Sequence, residues 1–430
     1  MKDWCGRVRV LLGLLSYCVA SLAGAVEAAE FTYVMADHMV DPVQGRIIDN
    51  VAVIVRDGKI LASGPRADVA VPEGAAVVDL TGKTILPGLI DMHTHVTMDP
   101  DRLGLAALTY PTERPIIWAV GALERTLKAG FTTIRNIGDM TFGSIGLRDA
   151  INEGDIIGPR MFDSGPPIGI LGGFCSDNNI LPHQYNDVRT IGVATGPWQM
   201  REKVRQHIKY GVDLIKTCSS GGLADESPPI ATPEELAAIT NEAHTRGYSV
   251  AVHALGATGI KNAILSGADT IEHATFIDDE AIHLAAQKGV YLSINIYSSE
   301  YTLDRNKTRG LSEEVLAIER HGLLSKYESF RKAVQAGVKI IFGTDAGNFP
   351  HGDNARQFPI MVRLGMKPMQ AIQSATSLAA EALGKGGVYG CISAGCTADI
   401  IAVAGNPAED ISQLQAVRFV MKEGRIHLSE

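Results

Sequence analysis

The sequence predicts an α/β protein: a (β/α)8 TIM-like barrel carrying a small β-sandwich domain built from both termini. Three observations predict it. Eight short apolar runs in the middle alternate with helical text, both ends are β-rich, and metal-ligand residues close several of the middle runs. At 430 residues there is length for one large α/β domain plus a smaller one.

The first segment reads as an address. Lys2, Arg7 and Arg9 precede an apolar stretch from Val10 to Leu22, and Ala23-Gly24-Ala25 fits a small-residue cleavage site. The apolar stretch is short for a bilayer span of about 20 residues. Residues 1–25 are therefore expected to be a cleaved signal peptide, with the mature chain periplasmic or secreted and without a stable membrane anchor. Short β runs follow, at Phe31–Met35, Val51–Val55 and Ala76–Leu80, separated by Asp57-Gly58 and Thr81-Gly82 turns. The same texture returns at Asp399–Val403 and Val417–Met421. Residues 26–86 and 388–430 are thus assigned to the small domain, and 87–387 to the barrel.

Within the barrel the expected strands are Leu89–His95, Thr132–Ile137, Arg160–Ser164, Leu214–Thr217, Val250–His253, Thr270–His273, Tyr291–Ile296 and Ile340–Thr344. Eight strands separated by helices is the count of a closed barrel. Thr232-Pro233-Glu234-Glu235 supplies an N-cap, a proline at the first helical position and a capping-box glutamate for one helix. Pro368 opens another, ended by Gly384 after Leu383.

Composition narrows the function. The chain is 46% hydrophobic and 20% charged with a net charge of −9, and no basic cluster interleaved with aromatics occurs. Nucleic acid is not an expected partner. Cleavage after Ala25 leaves Cys175, Cys218, Cys391 and Cys396, too few for a disulfide-built scaffold. Cys391 and Cys396 carry two readings, a disulfide in an oxidising compartment or two reduced, buried thiols.

Catalytic groups of such barrels sit at the C-terminal strand ends. There the chain presents His93 and His95 on strand one, Lys216 on strand four, His253 on five, His273 on six and Asp345 after strand eight. In His93-Thr94-His95 the alternate residues of a strand point the same way, so two imidazoles can share an ion. Singly, each residue has an ordinary reading: a snorkelling lysine, a structural histidine, a turn aspartate. The ordered set at strand ends is what carries the metal reading. His207, His244 and His283 lie in polar helical text and are expected at the surface.

This set resembles the metal-dependent amidohydrolase superfamily, in its two-metal form with a carboxylated lysine. Glu272-His273-Ala274-Thr275-Phe276 and His351-Gly352-Asp353-Asn354-Ala355 resemble a branch of Xaa-Pro and Xaa-Arg/Lys dipeptidases and ochratoxin-hydrolysing amidohydrolases. The resemblance implies two divalent ions, with Zn2+ the default and Mn2+ or Co2+ compatible with the same donors. It assigns His93, His95 and Asp345 to one ion, His253 and His273 to the other, and Lys216, as its CO2-derived carbamate, to both. It implies attack of a metal-bridging hydroxide on the amide of a dipeptide or N-acyl amino acid, releasing the C-terminal amino acid, with Asp345 moving the proton.

Neighbouring readings on the same fold are an ochratoxin A-type N-acyl-phenylalanine amidase, a lactonase or a deaminase; a silent scaffold is the reading from another class. Arg135, His183, Ser220, Tyr297 and His351 are the candidate substrate contacts, and each also has a local reading: Arg135 can pair with a carboxylate inside the barrel, and His351 can brace the loop after strand eight. Relatives often carry a histidine after the paired glycines following strand three, where this chain has Gly172-Gly173-Phe174. Either a neighbour such as His183 substitutes, or the pocket prefers a more apolar substrate. Barrels of this kind often associate, so a homo-oligomer is expected.

Overall fold

The computed structural model describes residues 31–103, 109–176, 191–221 and 228–430. The expected signal peptide and His183 lie outside these residues. Among the described residues no helix is long and apolar enough to cross a membrane.

The two chain ends share one sheet. β1 (Thr32–Asp41), β2 (Arg46–Arg56), β3 (Lys59–Pro65) and β4 (Ala76–Pro87) come from the N-terminal side. The barrel region then supplies β5 (Leu89–Thr94), β6 (Phe131–Asn136), β7 (Arg160–Asp163), β8 (Gly169–Ile170), β9 (Val193–Ala194), β10 (Ile215–Cys218), β11 (Val250–Gly256), β12 (Thr270–Phe276) and β13 (Tyr291–Ser293). β14 (Ile400–Val403), β15 (Phe419–Lys422) and β16 (Arg425–Ser429) return to the first sheet. Its seven strands run β16-β15-β14-β4-β1-β2-β3, with β1 and β4 parallel and the other pairs antiparallel. Ile60 N–H donates to Cys396 O and Gly395 N–H to Ile60 O, both at 2.9 Å, so the sheet curls back toward the segment that precedes β14. Val34, Val53, Ile60, Ile85, Ile400 and Phe419 form the apolar core against this sheet.

In the barrel region β5-β6-β7 and β10-β11-β12-β13 are parallel sheets. Backbone bonds join them: Asp213 N–H to Asp163 O at 2.7 Å, and Ile168 N–H to Lys216 O at 2.8 Å. On the far side Ile341 N–H donates to Leu292 O at 2.9 Å and Met92 N–H to Phe342 O at 2.8 Å. Pairing therefore passes through eight successive segments and returns to β5, consistent with a TIM barrel. The eighth is held by isolated bridges at Ile340 and Ala346 rather than a continuous ladder. Its Thr344 N–H is drawn to the Asp91 carboxylate, and Asp345 turns to φ +66°.

Helices α1 (Arg114–Lys128), α2 (Gly143–Glu153), α3 (Gly196–Lys209), α4 (Pro233–Thr245), α5 (Ala257–Leu265), α6 (Asp279–Lys288), α7 (Ile296–Thr308) and α8 (Glu313–Gln335) lie between these strand segments. The expected capping box opens α4, with Thr232 and Glu235 exchanging side-chain and backbone bonds. Strand seven is shorter than expected, because the chain turns helical at Ile296 after Asn295. After α9 (Gln357–Arg363), the single helix expected from Pro368 is two, α10 (Pro368–Ser374) and α11 (Ser377–Ala382). The carbonyls of Ser374 and Ala375 accept from Phe342 N–H and Ile90 N–H, so the barrel takes acceptors that a continuous helix would use.

The terminal sheet meets the barrel region at the N-terminal end of β7. Arg160 reaches Asp399 at 2.7 Å and Glu423 at 2.6 Å, and its guanidinium lies 4.1 Å from the Tyr389 ring centre. In a barrel this end serves stability and leaves the opposite end for chemistry.

Candidate metal centre

Parallel pairing sets the C-terminal ends of β5, β10, β11 and β12 around one mouth, and the side chains there converge. His93 Nε2 stands 3.3 Å from His95 Nε2, and Asp345 Oδ1 lies 3.5 Å from the first and 3.2 Å from the second. His93, His273 and Asp345 offer ligand atoms that all lie within 4.8 Å of one another. The His253 ring packs edge-on against His273 with centres 4.4 Å apart. Two ligands about 2.0–2.1 Å from a tetrahedral ion stand about 3.3 Å apart, so the spacing suits a shared cation.

Three of the four rings are aimed from behind. His93 Nδ1 donates to Glu272 Oε2 at 2.9 Å, His95 Nδ1 to Gly138 O at 2.9 Å, and His273 Nδ1 to Asn295 Oδ1 at 2.9 Å. All three partners only accept, which puts the proton on Nδ1 and leaves the Nε2 lone pair facing the cluster. Gly138 takes φ +143°, and a Cβ there would lie 3.0 Å from the His95 ring. Among the described residues the remaining donors have no partner: His253 Nε2 and Lys216 Nζ are buried polar atoms without a hydrogen bond. Buried polar atoms are rarely left so. Clustered lone pairs beside a carboxylate repel one another unless a cation lies between them, and this donor set fits one.

The electrostatics agree. Burial drives His253 and His273 well below the usual imidazole range, helped by Lys216 at the first and by the His253 charge at the second. It takes His93 down to about 4. Neutral imidazoles are the ligating form. Burial lowers Lys216 to about 8. It would raise Asp345, but the neighbouring His93 and His95 outweigh it and hold that carboxyl below its ordinary value, as an anion. His273 at φ +74° and Asp345 at φ +66° are both held in the left-handed region. Such backbone costs on the order of 1–3 kcal/mol per residue and collects at functional sites.

Several supporting residues escaped the sequence reading. Glu272, the residue before His273, is buried in the barrel and also accepts from Arg135 Nη2 at 2.6 Å and Thr270 Oγ1 at 2.5 Å. Burial would raise its carboxyl, yet Arg135 and His93 hold it far below the usual range. Asp91 accepts from Thr344 Oγ1 at 2.5 Å, Asn354 Nδ2 at 2.7 Å and His93 N–H at 3.1 Å, tying β5 to the loop that carries Asp345. Lys326 Nζ on α8 donates to Asn295 Oδ1 at 3.2 Å, the same atom that accepts from His273. A charged residue inside an otherwise apolar strand, as at Asp91 and Glu272, was the available signal; nothing local marks Lys326.

The structure places four of the expected substrate contacts. Arg135 is 2% exposed and committed to Met92 O, Thr270 and Glu272, so it braces the barrel interior. The Ser220 hydroxyl accepts from Leu255 N–H at 2.9 Å and sits near Gly256 N–H, a strand-end clasp. His351 is buried between Thr126 and the His95 carbonyl, holding the loop after strand eight. The Tyr297 ring packs on Phe349 and its hydroxyl faces Asp353 Oδ2 at 3.5 Å. His207, expected at the surface, is buried between the carbonyls of Lys203 and Pro166. Disulfides join Cys391 to Cys396 and Cys175 to Cys218, the second pair 43 residues apart in sequence and unforeseen.

Comparison with known proteins agrees with this geometry. The model of the amidohydrolase family matches residues 84–427. The ochratoxinase of Aspergillus niger is 31% identical over 431 residues, covering 94% of this chain and 88% of that protein. The structure of a Xaa-Pro dipeptidase with bound methionine in its active site superposes with a TM-score of 0.86 at 36% identity, covering 92% of this chain and 99% of that one. A prolidase complexed with N-methylphosphonate-L-proline gives a TM-score of 0.84 at 27% identity, covering 93% and 100%. The converging donors, the shared fold and the match over most of the chain lead to one conclusion: the protein is a metal-dependent hydrolase belonging to the amidohydrolase family.

Proposed function

We propose that the protein is a two-metal amide-bond hydrolase that releases the C-terminal amino acid from dipeptides or N-acyl amino acids. The observation that carries this reading is the convergence of four imidazoles and Asp345 beside the unpartnered, buried Lys216. His93, His95 and Asp345 would hold one ion, and His253 and His273 the other. Lys216 would bridge them. Its lowered pKa enlarges the neutral fraction that can react with CO2, and the resulting carbamate offers two anionic oxygens. Nitrogen and oxygen donors make zinc the expected metal. When bound, the ions polarise the scissile carbonyl and make water acidic enough to attack near neutral pH.

The chain's own groups do the rest. Asp345, held anionic and in reach of His95, accepts the proton of the attacking water and delivers it to the leaving amine. Glu272, Gly138 and Asn295 keep the imidazoles in one tautomer. The dipeptidase, prolidase and ochratoxinase relatives support an amide whose leaving amine carries a carboxylate. We further propose residues 26–86 with 388–430 as a small β-sandwich domain and 87–387 as the (β/α)8 barrel. The two disulfides support an exported, oxidising location for the mature chain. Self-association is proposed from fold type, and a monomeric mass in solution scattering would contradict it.

The test is Asp345→Asn assayed on Xaa-Pro, Xaa-Arg, Xaa-Phe and ochratoxin A substrates, with metal content measured in parallel. Loss of about 10²–10⁴-fold in kcat is expected. A variant that binds metal and hydrolyses at the wild-type rate would remove Asp345 from the proton path.

A further inference from the structure

We propose that Phe174 is a specificity-determining residue of this site, a fixed apolar wall that favours substrates bearing an aromatic or large apolar group beside the scissile amide. The proposal rests on the amide-hydrolase reading and deepens it. The Phe174 ring lies face-on against the His253 imidazole, with centres 4.7 Å apart and planes 24° from parallel. His253, itself a candidate ligand, packs in turn on His273, so Phe174 lies directly against one candidate ligand and one ring away from another. Half of Phe174 remains exposed.

Its position is held from several sides. Cys175, the next residue, is bonded to Cys218 at the end of β10, with Cα atoms 5.9 Å apart, two residues beyond Lys216. Gly221 permits close approach from the same strand end, since a Cβ there would lie 2.7 Å from Phe174 Cβ. Upstream, Ile168, the residue before β8, is tied to β10 through its N–H and Lys216 O at 2.8 Å. A phenyl ring can donate no hydrogen bond to a carboxylate or carbonyl, so what it offers a ligand is apolar area and an aromatic face. A wall anchored before a ligand arrives loses little freedom on binding and discriminates by shape. The disulfide therefore acts here as a positioning element for Phe174.

The experiment compares wild type with Phe174→Ala, Phe174→Tyr and Cys175→Ser. kcat/KM is measured for N-acetyl-phenylalanine and N-benzoyl-alanine, each against N-acetyl-alanine, so that both sides of the amide are probed. Calorimetry on the zinc-loaded proteins measures L-phenylalanine against L-alanine. In Phe174→Ala the preference for at least one aromatic member over N-acetyl-alanine is expected to fall roughly tenfold, with metal content unchanged. Phe174→Tyr should keep the preference, and Cys175→Ser should lose part of it. Equal loss on all substrates together with loss of metal would make Phe174 merely structural. An unchanged aromatic-to-alanine ratio in both kinetics and calorimetry would equally overturn the proposal. If wild type cleaves no member of the panel, the amide-hydrolase reading fails instead, and the phenylalanine-to-alanine binding ratio still decides the role of Phe174.

Discussion

Glu272→Gln is the most informative perturbation of the metal centre, because it removes a charge and little volume. The carboxylate accepts from Arg135 Nη2 at 2.6 Å, His93 Nδ1 at 2.9 Å and Thr270 Oγ1 at 2.5 Å, and its side chain has no exposure. Arg135 keeps only Met92 O at 2.6 Å and Thr270 Oγ1 at 3.1 Å once that charge is gone. A buried guanidinium stripped of its carboxylate costs about 3–5 kcal/mol. The amide also presents one N–H₂ group where the carboxylate presented only acceptors, so it cannot serve both Arg135 and His93. Weakening the acceptor behind His93 lowers the basicity of its Nε2, and loss of such support typically costs 10–100-fold in metal affinity.

The assay is urea denaturation of the chelated protein, with zinc affinity from chelator competition. Arg135→Met completes a double-mutant cycle. The two single variants should each be strongly destabilised, and the double variant should recover at least about 2 kcal/mol relative to their sum, because the pair shares one buried contact. Additive effects, or zinc affinity within twofold of wild type in Glu272→Gln, would refute the reasoning.

Two further outcomes are expected away from that contact. Glu242 on α4 is gripped by Arg205 on α3 and by Arg246, each at 2.8 Å, and these hydrogen bonds hold its carboxyl down to about 2 from an ordinary 4.5. A depressed acid stabilises fully above its unfolded pKa and loses that contribution as pH falls through the folded value. Glu242→Gln should therefore lose no more than about 1 kcal/mol at neutral pH, less in high salt, and the gap in thermal midpoint should close as pH is lowered from 5 toward 2; a gap that widens contradicts it. Gly343→Ala would bring a methyl within 2.9 Å of His93 Cβ and against the Ser293 hydroxyl. Destabilisation by about 1–3 kcal/mol with weakened zinc binding is expected from denaturation and competition titrations, and an unperturbed variant would show that the eighth segment has room to shift.

What could be read without the fold is what local patterning controls. Apolar runs ending in His93-Thr94-His95, His253, His273 and Asp345 announce strands with ligands at their tips, since alternation along a strand and the short loops after it are local properties. The Thr232–Glu235 capping box is likewise written in four adjacent residues and forms as expected. The eighth strand was legible only as an apolar run, because its pairing is broken where Thr344 is recruited by Asp91 across 253 residues.

The partners behind the ligands were not legible. Arg135 suited a substrate carboxylate equally well until the barrel set it 2.6 Å from Glu272, 137 residues away. Lys326 sits in an amphipathic helix like any other lysine, yet it donates to the oxygen that orients His273. The sequence by itself determined the strand-end set, the alternating architecture and a donor set of the type that attracts a cation. Only tertiary structure decided which proton His93, His95 and His273 keep, that Arg135 is a brace, and that Phe174 and Cys175 are fastened over His253. The physical reason is range: backbone periodicity acts over a few residues, whereas burial and charge pairing act between side chains that meet only when the barrel closes.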